Sequence, residues 1–98
     1  MPYAVRFTER AQKHLKGLSA YERRILPDQI EANLSSEPDR ETRNRKVLRP
    51  NPVGRFELRV GDLRVFYNID REAFVVLIVA IGRKAGNRLV VGSEEWVL

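Results

Sequence analysis

Arg55-Phe-Glu-Leu-Arg-Val-Gly-Asp-Leu-Arg-Val-Phe-Tyr67 is the stretch whose reading decides the fold. Two alternating runs, Phe56–Val60 and Leu63–Ile69, flank Gly61-Asp62. That is the pattern of a two-residue β-hairpin, whose turn needs a glycine able to adopt positive φ. Counting outward sets the register: Val60 opposite Leu63, Arg59 opposite Arg64, Leu58 opposite Val65, Glu57 opposite Phe66 and Phe56 opposite Tyr67. Period-two alternation then places Phe56, Leu58, Val60, Leu63, Val65 and Tyr67 on one face. Arg59 and Arg64 lie side by side on the other. Like charges directly opposite on a sheet are destabilising by roughly a few tenths of a kcal/mol, so folding alone does not explain the pair. An anion on that face does.

Downstream, Asp70-Arg71-Glu72 reads as a second turn and Ala73–Ile81 as a third strand, apolar on both faces as befits an interior position. Two loop residues in that turn put Arg64 opposite Val79. The chain then leaves the sheet at Gly82, which delivers Gly82-Arg83-Lys84 to the Arg59/Arg64 corner. After Asn87 and Arg88, Leu89-Val90-Val91 and Trp96-Val97-Leu98 read as a short closing strand or helix.

Upstream, Pro2–Phe7 alternates as a first strand, and Thr8 is the expected N-cap of a helix with the stripe Ala11, Leu15, Leu18 and Gly17 near its end. His14 sits at the margin of that stripe, as a half-exposed helix residue rather than a catalyst. Ser19-Ala-Tyr-Glu22 matches a capping box. It opens a second helix to about Ser35, with Ile25, Leu26, Ile30 and Leu34 on its apolar side. Pro27 removes a backbone bond to Arg23, so a kink or a split is expected there. The two helices form an antiparallel hairpin with their stripes on the sheet. Residues 35–54 read as a long polar link carrying Pro38, Pro50 and Pro52, pinned to the core by Val47 and Leu48, and the basic bias of the chain begins in it.

With 98 residues, 43% hydrophobic and 32% charged, the chain suits a single α+β domain over residues 1–98, a helix hairpin on a mainly antiparallel sheet. Its longest apolar run has nine residues, well short of the ~20 of a membrane span. The N-terminus lacks the pattern of a secretory signal, so a cytoplasmic location and no membrane partner are expected. No cysteine and one histidine leave no thiol nucleophile and no clustered metal ligands, so neither metal nor cofactor is expected. Eighteen Lys+Arg against 13 Asp+Glu give a net charge of +5. That points to a polyanion partner: RNA, DNA or an acidic protein segment.

Arg59, Arg64, Arg83 and Lys84 come from three segments and converge by strand counting. Arginine matches phosphate with a planar fork and stays charged at any working pH. Such a cluster can hold a phosphodiester and offset the extra charge of a pentacoordinate phosphorane when RNA is cut by its own 2′-hydroxyl. For proton transfer, Glu57 on the same face is a candidate base and Lys84 a candidate acid, while Tyr67 points into the core. The plain alternative is a solvated sheet face on which Glu57 neutralises Arg59.

The order strand, helix hairpin, basic link, then Phe-Glu-Leu-Arg-Val-Gly-Asp-Leu-Arg-Val-Phe-Tyr and Ala-Ile-Gly-Arg-Lys resembles the RelE/ParE superfamily of toxins from type II toxin–antitoxin modules, over about residues 3–91. The resemblance implies a small toxin neutralised by a cognate antitoxin that wraps its basic face. RelE-type members cut mRNA in the ribosomal A site, and ParE-type members inhibit DNA gyrase. It implies catalytic roles for Arg64, at the arginine that holds the scissile phosphate, for Arg59, where RelE members carry a lysine, and for Lys84, where they carry an arginine. Arg83, Lys46, Arg55 and Arg88 are the expected RNA contacts. Two positions depart: Glu57 replaces a further lysine, and Val90 stands near a C-terminal tyrosine that stacks on the substrate base. Three functions therefore stay open: an mRNA interferase on the ribosome, a ParE-like toxin without nuclease activity, and a degenerate toxin that only binds its antitoxin.

Overall fold

β5 (Val75–Ala85) is the hub of a seven-stranded sheet in the computed structural model, which describes residues 2–97. One edge of β5 pairs antiparallel with β4 (Leu63–Asp70). The other edge is shared. β1 (Ala4–Phe7) runs parallel to its first half, and β6 (Arg88–Val91) runs antiparallel to its second. β3 (Phe56–Val60) and β2 (Arg45–Val47) extend the sheet beyond β4, and β7 (Glu94–Val97) extends it beyond β6. Two helices, α1 (Glu9–Lys16) and α2 (Ala20–Leu34), pack on one face, α1 on β5 and α2 on β1 and β3. The architecture is the expected α+β one. No described helix is long and apolar enough to cross a membrane.

The β3–β4 hairpin has the register that the alternation predicts, with Gly61 at φ 59° in its turn. Leu58, Leu63, Val65 and Tyr67 are buried with Ala11, Leu26, Ile30 and Leu34, and Phe56 and Val60 pack beside them. Full burial of one such Leu or Val contributes about 1.5–3 kcal/mol, so this face fixes the hairpin against the helices. Both N-caps form as the sequence indicates. Thr8 Oγ1 accepts from Ala11 N at 3.1 Å, and the Ser19/Glu22 box closes with bonds of 3.2 and 3.1 Å. α2 runs unbroken through Pro27, so the expected split does not occur.

The link is more structured than expected. It contributes β2, and the Arg45 guanidinium ties it to α2 by donating to Asn33 O (2.8 Å), with a further bond to Glu37 O (3.1 Å) within the link. Tyr67 OH, whose pKa burial pushes up to about 12, donates to Pro38 O at 2.8 Å in the core. Leu48 and Val53 join a second cluster of Phe66, Ala80, Leu89 and Val91 on the sheet face away from the helices. Leu48 is thus a pin as expected, but Val47 is 54% exposed on the outer strand.

The third strand differs most from the sequence reading. Its entry turn spans four residues, 71–74, because Asp70 Oδ1 accepts from the backbone of Glu72 and Ala73 (3.1 and 3.0 Å). One further residue, Val79, bulges out between the pairs Tyr67–Ile78 and Phe66–Ala80. Arg64 consequently faces Gly82 instead of Val79, and the strand continues to Ala85 rather than ending at Ile81. The closing segment is a strand pair, β6–β7; its expected last residue, Leu98, lies outside the described residues.

Candidate nucleic-acid interface

Strand parity sorts the expected site residues. Leu63, Val65 and Tyr67 lie on the helix face, so Arg64 and Phe66 lie on the open one. Cross-strand partners share a face, which places Lys46 (opposite Glu57), Arg59 (opposite Arg64) and Lys84 (two residues beyond Gly82) with them. Four consecutive strands, β2 to β5, thus each contribute one cation to a single surface. Arg64 Nη1 donates to Gly61 O (2.8 Å) and Leu63 O (2.9 Å), bonds that hold the side chain at the turn without neutralising it. Among the described residues, Arg64, Lys46 and Lys84 have no carboxylate within ion-pair distance. Arg59 Nε donates to Glu57 Oε1 at 3.1 Å. Glu57 therefore stands on the expected face, but with one oxygen held.

Arg83 does not belong to this cluster. The bulge at Val79 reverses the parity of everything after it, so Arg83 faces Leu63 on the helix side. Its Nη2 donates to both Glu22 oxygens (2.7 and 2.8 Å) and its Nη1 to both Asp62 oxygens (3.0 and 2.9 Å). The Arg83 bonds, then the Ser19 backbone N–H, hold the Glu22 carboxyl below its ordinary range, and the two carboxylates raise Arg83 in turn. Arg88 has the same parity and pairs with Glu95 at 2.8 Å. Arg55 is exposed just before β3, its backbone N–H donating to Asn68 Oδ1 at 2.9 Å.

Three positions to which the sequence reading gave other roles, Gly82, Thr8 and His14, organise the surface. Gly82, across from Arg64, has no room for a side chain: a Cβ there would lie 2.8 Å from Val90 O and from Val91 Cγ2. The bulge itself is held by α1. Thr8 N and Oγ1 donate to Ile78 O (3.0 Å) and Val79 O (3.4 Å), and His14 Nδ1 accepts from Ile81 N at 3.1 Å. His14 thus secures β5 from the helix side, remote from the open face. A turn signal in Asp70-Arg71-Glu72 was visible in sequence; a bulge fixed by bonds to a distant helix was not.

The family described as ParE toxin of type II toxin-antitoxin system, parDE, matches residues 5–88. The chain is a toxin of that family. It is 39% identical over 88 residues to toxin RelG of Mycobacterium tuberculosis (strain ATCC 25618 / H37Rv), a match that covers 87% of this chain and 94% of that protein. Among solved structures, the toxin–antitoxin complex RelBE2 of Mycobacterium tuberculosis contains a chain that superposes with a TM-score of 0.74 at 34% identity, over 87% of the toxin and 94% of that chain. The RelE/ParE resemblance of the hairpin and of the Gly-Arg-Lys segment is therefore carried by the whole fold of the toxin.

Proposed function

We propose that this toxin acts on RNA at the ribosome, and that the open face of its sheet holds the RNA phosphates. The observation that carries this reading is the row of Lys46, Arg59, Arg64 and Lys84 on four adjacent strands, three of them free of carboxylates among the described residues. Arg64, anchored at the turn, is the residue assigned to the central phosphate. Arg59 and Lys84 flank it.

Cleavage on this face runs by attack of a 2′-hydroxyl on the adjacent phosphorus. The O2′–P bond forms, the P–O5′ bond breaks, one proton leaves O2′ and one reaches O5′. Arginines offset the charge gained by the phosphorane. Glu57 is the carboxylate assigned to the first proton and Lys84 the ammonium assigned to the second. Glu57 is already bonded to Arg59 and faces Lys46 across the ladder, so one of its oxygens is engaged before RNA arrives, which disfavours fast cleavage. By analogy with the RelBE2 complex, a cognate antitoxin restrains the toxin in the cytoplasm, its acidic residues taking the place of the phosphates.

The ParE description of the family favours a second reading, inhibition of DNA gyrase. Induction in bacterial cells, with 5′-end mapping of transcripts, protein-synthesis labelling and a DNA-damage reporter, separates the two. Arrest of translation that disappears in Arg64→Ala is expected. Unimpaired translation with a DNA-damage response overturns the RNA reading, and absence of any growth effect marks a degenerate toxin.

A further inference from the structure

β5 has a gap along the edge that β1 and β6 share. β1 pairs with it as far as Ile78 and β6 begins at Gly82, so residues 79–81 meet no strand on that side. Groups from α1 and its N-cap fill the gap. Thr8 N and Oγ1 donate to Ile78 O and Val79 O, and the imidazole of His14 comes next along the edge. Its Nδ1 accepts from the backbone N–H of Ile81, a buried residue, at 3.1 Å. The ring thus stands where a neighbouring strand would offer a carbonyl. On its other side it is wedged against the turn between β6 and β7, where a Cβ at Gly92 would lie 2.9 Å from His14 Nε2.

That bond exists in only one protonation state. A neutral imidazole keeps Nδ1 as acceptor and carries its proton on Nε2, whereas the imidazolium carries a proton on both nitrogens. No rotation of a charged ring restores an acceptor, and the Ile81 N–H is left facing another N–H. The charged groups around the ring add to this. Arg10 and Lys13 from α1 and Arg83 from β5 line the same cleft of about 540 Å³ as His14, and Glu94 of β7 opposes them. Arg83 is held by Glu22 of α2 and by Asp62, and Lys13 lies 3.8 Å from Glu9, so Arg10 is the cation left to repel a charged ring. The cleft is open on the solvent side and gives a charged ring somewhere to go.

What the ring seats is the path to Lys84. Ile81 lies between the bulge at Val79 and Gly82, whose pairing with Arg64 sets Lys84 on the open face. His14 itself is on the helix side, so its effect on that face runs through β5. We infer that His14 is a positioning residue for the cationic open face: its neutral ring keeps the end of β5 seated, and proton uptake by the ring moves Lys84 out of line with Arg64 and weakens the hold on RNA phosphate. The inference adds a regulation to the RNA reading above and rests on it. Its sign is opposite to that of plain electrostatics, in which positive charge gained on acidification strengthens binding to a polyanion.

The test measures binding of the full toxin to a short single-stranded RNA with 2′-O-methyl sugars, which block cleavage, at pH 7 and pH 5 and constant ionic strength. Wild-type toxin is expected to bind about fivefold more weakly at pH 5, with the slope of log affinity against log salt smaller by about one. His14→Asn keeps an amide oxygen near the place of Nδ1 and does not titrate, so it should bind equally at both pH values. In Lys84→Ala the pH dependence should also vanish, because the group through which it acts is gone. Linkage further requires RNA to push the titration of the His14 ring, followed by NMR, to lower pH. Wild-type binding that holds or strengthens at pH 5, the same loss in His14→Asn, or a loss that tracks global unfolding in circular dichroism overturns the inference and leaves the phosphate site standing. Absence of RNA binding at pH 7 overturns the RNA reading and the inference with it.

Discussion

On the open face of the sheet, Arg64 and Lys84 meet no carboxylate among the described residues, whereas on the helix face Arg83, the residue next to Lys84, is gripped by Glu22 and Asp62. The residue chemistry is almost the same and the separation is one peptide unit. What differs is parity. A cation on the helix face is drawn to the acidic N-terminal turn of α2 and becomes structural. On the open face Glu57 engages Arg59, while the charges of Lys46, Arg64 and Lys84 meet no carboxylate among the described residues and are left for a ligand. Counting basic residues therefore overestimates a nucleic-acid site, and the informative count is of cations that the fold leaves without a counter-charge.

The most drastic way to test this contrast is Arg64→Ala. If Arg64 holds the central phosphate, removal should reduce RNA-directed activity about 100-fold, in line with the loss of one preorganised charged donor. Urea unfolding should show stability within about 1 kcal/mol of wild type, because the side chain is only half-buried and water can replace its bonds to Gly61 O and Leu63 O. An equal loss of activity and stability would make Arg64 a folding residue.

Gly82→Val acts on the register itself. Its side chain would meet the backbone of Val90 and the side chain of Val91, and such overpacking costs about 1–3 kcal/mol. Activity is expected to fall with stability, since β5 presents Lys84 only through this pairing.

Arg83→Ala and Lys84→Ala should part ways. Loss of Arg83 is expected to lower stability by about 1 kcal/mol, the scale of a partly exposed, multiply bonded ion pair, with the salt dependence of RNA binding unchanged. Loss of Lys84 should leave stability unchanged and reduce the slope of log affinity against log salt by about one. The reverse pattern would show that the parity assignment is wrong.

The smallest effect concerns the bonds that hold the bulge. Burial first, then nearby Arg10, depress the His14 pKa below its ordinary 6.5, against an opposing pull from Glu94. The folded state therefore favours the neutral ring, whose Nδ1 accepts from Ile81 N. Its stabilising contribution is complete above pH 6.5 and is lost as pH falls through the lowered value, because the unfolded chain then binds the extra proton. Thermal melts between pH 7 and 5 should show this loss, and His14→Gln should flatten it. Glu22 and Asp39, also depressed, begin to contribute losses only below 4.5 and 3.8.

Much of the fold was legible in the chain because it is encoded locally. Gly61-Asp62 between two alternating runs sets a register that only one face satisfies, and the Ser19/Glu22 box marks a helix start within four residues. The same counting brought Arg59, Arg64, Arg83 and Lys84 to one corner, of which Arg83 turns to the helix face. β2 was hidden because three residues of a charged link carry too little pattern, and the clamp by Arg45 that orders them reaches across to α2.

The sequence by itself determined the β3–β4 hairpin, its buried face and the pairing of Arg59 with Arg64, since a two-residue turn and period-two burial leave no other register. Which of Arg83 and Lys84 joins them was decided only by the tertiary structure. A single bulged residue at Val79 reverses every side chain beyond it, and it is held by Thr8 and His14 of the first helix, 71 and 67 positions away from their partners. Period-two counting carries no memory of such distant bonds, so a reading whose pairing was already two residues off at the entry turn brought both Arg83 and Lys84 to the corner, where only Lys84 shares the open face.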